Sequence, residues 1–388
     1  MEETTAKSSD TFIERVRLQG YKSIEDVEIT LKPGLNILIG GNGSGKTNFV
    51  KFLDLVLNKD YINNVGKFAA EIGFKESNKR FDYYLNYEHL HHGFTKSEDE
   101  IWEKVKVDGS KEFNLSIRNY PTPMQIRDWD FVWRNLRSIS VSYGVPESFN
   151  NINTIDKVEV IKSQRRSIDP PSAFIRIEPS VGHKGLYSLI YLVFEPVINL
   201  PTSGNNRFEP IIPKNFIENL RLHSPIKNIR IEERFQVDAT KEDKEILHVR
   251  FEFFIDGKWR PWTHLSDGTK RLVYIITEVT FANNIVLLEE PELGIHPHQL
   301  SKLMDFLEAA AEHKQIIITT HSPQVLNVLP LDELDRIIIV RYEKDKGTQM
   351  SHLTGEEQQQ ARTYMEAGGL DLSDYWVHSN LERETEAV

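Results

Sequence analysis

Residues Gly40, Gly41, Asn42, Gly43, Ser44, Gly45, Lys46 and Thr47 satisfy the spacing G-x-x-x-x-G-K-[ST]. Each residue type there has a chemical reason. Glycines let successive backbone N–H groups close around phosphate oxygens, and a helix beginning at the end of the loop adds its partial positive charge. The Lys46 ammonium is placed to bridge β- and γ-phosphates, and the Thr47 hydroxyl to hold Mg²⁺. A glycine-rich turn can match this spacing by accident, so the flanks decide. Leu35–Ile39 ahead of the loop is almost wholly apolar, as in a strand buried on both faces, and Phe49, Phe52, Leu53, Val56 and Leu57 follow at helical spacing. Strand, loop and helix in this order predict a nucleotide site.

Far downstream, the aliphatic run Ile285–Leu288 ends in Glu289, Glu290, Pro291 and Glu292. Beside a phosphate cradle, Glu289 is suited to hold Mg²⁺ through water and Glu290 to orient an attacking water. A further buried strand, Gln315–Thr319, delivers Thr320, His321 and Ser322, with His321 in reach of a γ-phosphate. Singly, a Glu pair or a strand-end His is weak. In an open α/β sheet, however, ligands sit at the carboxyl ends of strands, so the three strand ends are expected to converge on one nucleotide.

The elements that must position these groups are legible to different degrees. Phe12–Leu18 and Val27–Leu31 alternate as two antiparallel strands, and Pro33-Gly34 turns the chain into the phosphate-loop strand. Lys22 and Ser23, in the connection, read as a solvated turn within reach of the nucleotide. Arg80–Tyr87 and Val105–Ile117 predict an antiparallel β lobe. His89, His91 and His92 lack further ligands at metal-site spacing and read as a surface loop. Residues 119–240 hold many prolines, which exclude long helices. Gly185–Phe194 and Asn215–Leu222 are its helical stretches, and Arg127, Arg134, Arg137, Lys162, Arg165 and Arg166 read as a solvated basic face rather than a phosphate-backbone contact. No heptad repeat is sustained between residues 48 and 264, so coiled-coil arms are not expected. Order returns with a hairpin at Asp256-Gly257 and helices over Arg271–Phe281 and Pro297–His313, with a short one after Pro323. Strands over Asp335–Tyr342 and Thr348–Leu353 are expected to pair across Lys344–Gly347, ahead of a helix over Gly355–Ala367.

With 388 residues, 39% hydrophobic and 27% charged, the chain has the composition of a soluble globular protein of one large or two modest cores. It has no apolar run long enough to span a membrane, and MEETTAKSSD lacks the basic-then-apolar order of a signal peptide, so a cytoplasmic location without membrane contact is expected. Zero cysteines exclude disulfides, thiolate zinc sites and cysteine nucleophiles. A net charge of −11 argues against nucleic-acid binding through the overall field, leaving only local patches for it.

With GGNGSGKTN, LLEEPELGIHP and ITTHSPQVL, the segment LSDGTKR from Leu265 looks like the signature of ABC-type ATPases, and the chain resembles the cytosolic RecF, SMC and OLD-like branch of that superfamily. The resemblance covers the N-terminal part and Leu265–Pro330, and the middle resembles no known family. It implies an α/β P-loop NTPase with a mixed sheet flanked by helices, an antiparallel β lobe, and an irregular or helical region inserted between phosphate loop and signature. The expected organisation is a disordered 1–10, an ATPase lobe over 11–118, the insertion over 119–240, a second ATPase lobe over 241–380 and a mobile 381–388.

The resemblance further implies ATP and Mg²⁺ as ligands. Gly40, Asn42, Gly43, Ser44, Gly45, Lys46, Thr47 and Asn48 would surround the phosphates, Thr47 and Glu289 the metal, and Glu290 and His321 the hydrolysed bond. Ser266 and Gly268 would contact the γ-phosphate held by a second copy, so an ATP-dependent homodimer or higher oligomer is implied. Three departures stand out: Glu289 where Asp is usual, Asp267 where transporters carry glycine, and a glutamine loop for which only Gln125 and Gln164 offer themselves. Slow ATP hydrolysis is the expected activity. Because no nuclease motif is visible, a separately encoded nuclease or toxin-like effector is the expected partner, as in anti-phage systems of the Septu and PARIS types. The alternative is a RecF-like DNA-maintenance ATPase clamping duplex DNA.

Overall fold

The computed structural model describes residues 11–58, 66–76, 79–92, 96–107, 111–114, 140–142, 152, 155–162, 173–178, 184–199, 208–238, 244–282, 285–368 and 371–379. Two compact units emerge, one of Met1–Val141, Asn283–Glu292 and Leu307–Val388, the other of Ser142–Ala282 and Leu293–Phe306.

The first unit is organised on a 12-stranded sheet. Numbered along the chain, its strands are β1 (Thr11–Tyr21), β2 (Ile24–Thr30), β3 (Leu35–Ile39), β4 (Lys67–Glu76), β5 (Lys79–His92), β6 (Lys96–Val107), β7 (Lys111–Asn114), β8 (Ser140–Ser142), β16 (Ile285–Glu289), β17 (Gln315–Thr320), β18 (Ile337–Glu343) and β19 (Gly347–His352). Their order is β7-β6-β5-β4-β1-β2-β19-β18-β3-β17-β16-β8. The group β18, β3, β17 and β16 is parallel, with Ile339 beside Ile39, Ile39 beside Thr320, and Thr319 beside Glu289. All three site-bearing strands therefore end at one edge.

Helix α1 (Lys46–Asn58) lays Phe49, Val50, Phe52, Leu53, Val56 and Leu57, all essentially inaccessible, against the sheet. That apolar face accounts for the helix's stability, since propensity alone sustains little at this length. Around Phe52, ring centroids lie 4.6 Å from Tyr21 and 5.2 Å from Phe68, and Phe68 stacks at 4.7 Å on Tyr87. Gln315 clips two strand beginnings together. Its Oε1 accepts from the Ile13 amide at 2.8 Å, while its Nε2 donates to the Ile13 and Lys32 carbonyls at 2.8 and 2.9 Å.

The expected strand Val105–Ile117 is in fact two: β6 ends at Val107, and Val107 pairs antiparallel with Lys111. Asp108-Gly109, a hairpin signal, lies between them. The histidines read as a surface loop belong to the end of β5, with His89, His91 and His92 in register with Asp99, Ser97 and Lys96 of β6. That reading is corrected because pairing with β6 carries the strand past the alternating stretch that signalled it. The late hairpin is antiparallel as expected, Glu343 opposite Gly347. After helix α6 (Gly355–Gly368), helix α7 (Leu372–His378) is capped reciprocally by Asp371 and Asp374, a stop-and-start signal the sequence reading did not use.

The second unit contains β9 (Ile155–Lys162), β10 (Ala173–Glu178), helices α2 (Lys184–Phe194) and α3 (Lys214–His223), then β11 (Asn228–Ile231), β12 (Gln236–Asp238), β13 (Lys244–Val249), β14 (Phe251–Ile255), β15 (Lys258–Pro261) and α4 (Asp267–Phe281). The order β10-β9-β13-β12 makes one antiparallel sheet, and β11-β14-β15 another. The region read as irregular or helical thus also carries strands. Their ladder joins β9 to β13, far away in the chain, so no local pattern announces it. Helices α2 and α3 stand as predicted within a residue. Helix α2 packs on α4 where Gly185 meets Glu278, and the Gly185 amide donates to the Glu278 carboxylate at 3.2 Å. Helix α5 (Pro297–Ala311) contributes residues to both units.

Candidate nucleotide site

Within the first unit, β3 ends in the glycine loop and α1 begins at Lys46. The loop is tight on one side and open on the other. A side chain on Gly40 would collide with the Val340 carbonyl, and one on Gly45, whose φ is +105°, with the Thr348 side chain. Gly41 and Gly43, the latter at φ +80°, face open space where a ligand can approach the backbone. Lys46 is almost buried and donates from Nζ to the carbonyls of Gly40 at 2.6 Å and Gly41 at 2.9 Å, with Ser44 Oγ at 3.4 Å.

Thr47 Oγ1 donates to Glu289 Oε1 in a short hydrogen bond, so the hydroxyl and carboxylate expected to share a cation are adjacent, although 242 residues separate them. Two oxygen donors side by side at the mouth of a phosphate loop suit a hard divalent ion such as Mg²⁺. With a bare-backbone cradle and a buried ammonium beside them, these residues fit a magnesium–nucleotide complex. The extra methylene of Glu289 leaves the pairing with Thr47 intact.

Glu290 has φ +45°, unusual for a side-chain-bearing residue, and its amide donates to the Thr319 carbonyl at 2.8 Å. Left-handed backbone costs such a residue on the order of 1 kcal/mol. The turn carries the Glu290 carboxylate to His321, whose Nδ1 lies 3.1 Å from Oε1, with both side chains partly open to solvent. Just beyond, Thr320 donates a short hydrogen bond to Glu292 Oε1. Burial pushes the Glu292 carboxyl above the usual carboxylate range, outweighing the Thr320 bond that pulls it down.

Asn48, in the first turn of α1, donates its side-chain amide to Ser23 Oγ at 2.8 Å, and Ser23 Oγ lies 2.8 Å from Thr348 Oγ1. Ser23 is therefore a tie between α1 and β19 rather than a solvated turn, while Lys22 does remain exposed. Thr348, Thr320 and Glu292 are the site neighbours that sequence reasoning passed over. Glu292 had a signal in the acidic run, whereas Thr348 had none.

In the second unit, Ser266 caps α4. It accepts from the Thr269 amide at 3.3 Å, is exposed, and is followed by the wholly exposed Asp267, which Lys270 meets at 3.4 Å. A Cβ on Gly268 would strike the Gly294 carbonyl, so this helix start is held bare. Gln125, Gln164, Arg127, Arg134, Arg137, Arg165 and Arg166 lie outside the described residues, as does the side chain of Lys162. Among the described residues there is no cluster of three or more His, Asp and Glu able to hold a metal, and no helix long and apolar enough to cross a membrane.

The family described as "AAA domain, putative AbiEii toxin, Type IV TA system" matches residues 35–327, well over half of the chain. The chain belongs to this AAA-domain family. The match runs from the first residue of β3 through the His321 segment, so the glycine loop, the acidic end of β16 and His321 lie inside it, while β1, β2, β18 and β19 lie outside. Among relatives of the AAA-domain protein, a Septu protein PtuA of Bacillus thuringiensis is 20% identical over 352 residues, covering 83% of this chain and 74% of the relative. A second Septu protein PtuA, of Bacillus mycoides (strain KBAB4), is 23% identical over 341 residues, which is 82% of this chain but only 39% of that longer protein. Solved structures include the SMC head domain from Thermotoga maritima, with a TM-score of 0.46 at 13% identity over 88% of this chain and 99% of that one. The SmcHead bound to the C-winged helix domain of ScpA gives 0.49 at 14% identity over 90% and 99%.

Proposed function

We propose that the chain is an ATP-driven switch: it binds ATP with Mg²⁺, hydrolyses it slowly, and associates with further copies of itself while the γ-phosphate is present. The observation that carries this reading is the convergence, on adjacent strand ends, of Lys46, the Thr47–Glu289 pair and the Glu290–His321 pair. When bound, Mg²⁺ neutralises phosphate charge and draws electron density from the bond to be cut. The remaining steps belong to the chain. Loop amides and Lys46 hold the phosphates, Glu289 and Thr47 fix the cation's place, and the carboxylate of Glu290 accepts hydrogen bonding from the water to be activated. His321, with Nδ1 3.1 Å from Oε1, orients that carboxylate. The exposed Ser266 hydroxyl and the bare turn at Gly268 supply anion donors to a nucleotide on another copy.

Kinship with the Septu proteins, an anti-phage type, supports a defence role in the cytoplasm, in which the ATP-held assembly scaffolds and restrains a separately encoded nuclease or toxin. Glu290→Gln tests the core of this reading. The substitution keeps the shape of the side chain but removes the base, so turnover should fall by at least about 100-fold while ATP binding persists and the assembled state accumulates. Phosphate release and light scattering with and without ATP measure both effects. Unchanged turnover would place the base elsewhere. Copurification of a native partner without nucleic acid supports the effector reading, whereas ATP-enhanced, salt-sensitive duplex binding would replace it with DNA clamping.

A further inference from the structure

Glu292 is an acidic side chain at the strand ends for which the hydrolytic reading has no task. Its Oε1 accepts the Thr320 hydroxyl, and its Oε2 is buried with no hydrogen-bond partner among the described residues. Thr320 is fully buried and stands immediately before His321. Its Oγ1 also accepts from the Ser322 amide at 2.9 Å, so a single hydroxyl holds the backbone on both sides of His321. Glu292, for its part, follows two residues after Glu290, the other half of the 3.1 Å pair. Besides the Glu290 amide bond to the Thr319 carbonyl, the segments that end β16 and β17 are thereby joined by two side-chain pairs: Glu290 with His321, and Glu292 with Thr320.

A half-satisfied buried carboxyl is an expensive way to join two turns, because each unpaired buried oxygen carries a desolvation cost that an apolar contact avoids. Such cost is expected where a strand tip must be held in one place for chemistry. We propose that Glu292 and Thr320 are positioning residues that latch the tip of β17 and so set His321 against Glu290. This inference rests on the reading of Glu290 and His321 as the hydrolytic pair.

Steady-state ATP hydrolysis by the full chain, with binding of a fluorescent ATP analogue measured alongside, tests it. Thr320→Val removes the donor at nearly constant shape and is expected to lower kcat about tenfold while KM and analogue affinity change less than about twofold. Thr320→Ser returns the hydroxyl and should restore kcat. Glu292→Leu should behave like Thr320→Val, and Glu292→Gln, which keeps an acceptor oxygen, should recover most of the rate. Analogue binding reports that each variant is folded. His321→Ala separates the two layers of argument. If it hydrolyses ATP as fast as the native chain, the hydrolytic reading itself falls. If it is impaired while Thr320→Val and Glu292→Leu keep the native kcat, only the latch falls. A kcat loss that Thr320→Ser fails to restore, or a rise in KM with kcat unchanged, would likewise overturn the latch.

Discussion

The Lys46 ammonium, nearly buried, spends its hydrogen bonds on the carbonyls of Gly40 and Gly41. Phosphate oxygens are stronger partners for a cation than neutral carbonyls, so under the proposed function this charge is available to an incoming triphosphate. Lys46→Ala removes it while leaving the loop backbone, which is shaped by Val340 and Thr348 instead, in place. ATP affinity measured by calorimetry should fall by at least about 100-fold, with the melting temperature of the nucleotide-free chain little changed. Affinity left intact would remove the phosphate loop from the site. Lys46, Thr47, Glu289, Glu290 and His321 were all readable because each follows a strand pattern at fixed spacing. Thr348 and Thr320 were not, since each acts through a neighbour that is remote in the chain, and neither the Thr319-Thr320 pair ending β17 nor a threonine in the mixed run of β19 signals what it touches.

At the level of elements, strands with their own period were legible, and strands defined by partners were not. β3, β16 and β17 are nearly continuous apolar runs, and the β14–β15 hairpin declares itself by Asp256-Gly257. β9 instead mixes Asp156, Lys157 and Glu159 with its buried residues. Lys157 is within 3.2 Å of Glu245 on β13, a pairing invisible until the sheet is formed. The connection from α5 to β17 carries a different kind of mismatch. Lys314 is half-buried there ahead of the clip residue Gln315, and this burial lowers its pKa from 10.5 to about 8. The unfolded chain therefore binds more protons than the folded one between those values, and the penalty is full below about pH 8 and fades as pH rises toward 10.5. Lys314→Met should raise stability at pH 7 by about 1–3 kcal/mol. Denaturant titrations at pH 7 and pH 10 check this: the native chain should gain stability relative to the variant at the higher pH, and a constant difference would show that Lys314 is adequately solvated.

For the molecule as a whole, the proposed assembly turns on which compact unit carries each group. The phosphate loop, acidic strand and His321 all belong to one compact unit, whereas Ser266 and Gly268 belong to the other and present their helix start to solvent. Ser266 caps its own helix through Thr269, whose hydroxyl lies 2.9 Å from its Oγ, yet it stays exposed, so a ligand can reach this helix start. Its neighbour Asp267, facing solvent, would repel a nucleotide unless Lys270, 3.4 Å away, or a bound cation offsets it. Ser266→Arg places a long charged side chain at that surface without entering the phosphate loop. Combined with Glu290→Gln to prevent turnover, it should leave one-to-one ATP binding intact and abolish the ATP-dependent rise in mass seen by light scattering. The same rise in the doubly substituted chain would mean that copies meet through another surface, and the signature turn would then have to act within its own molecule.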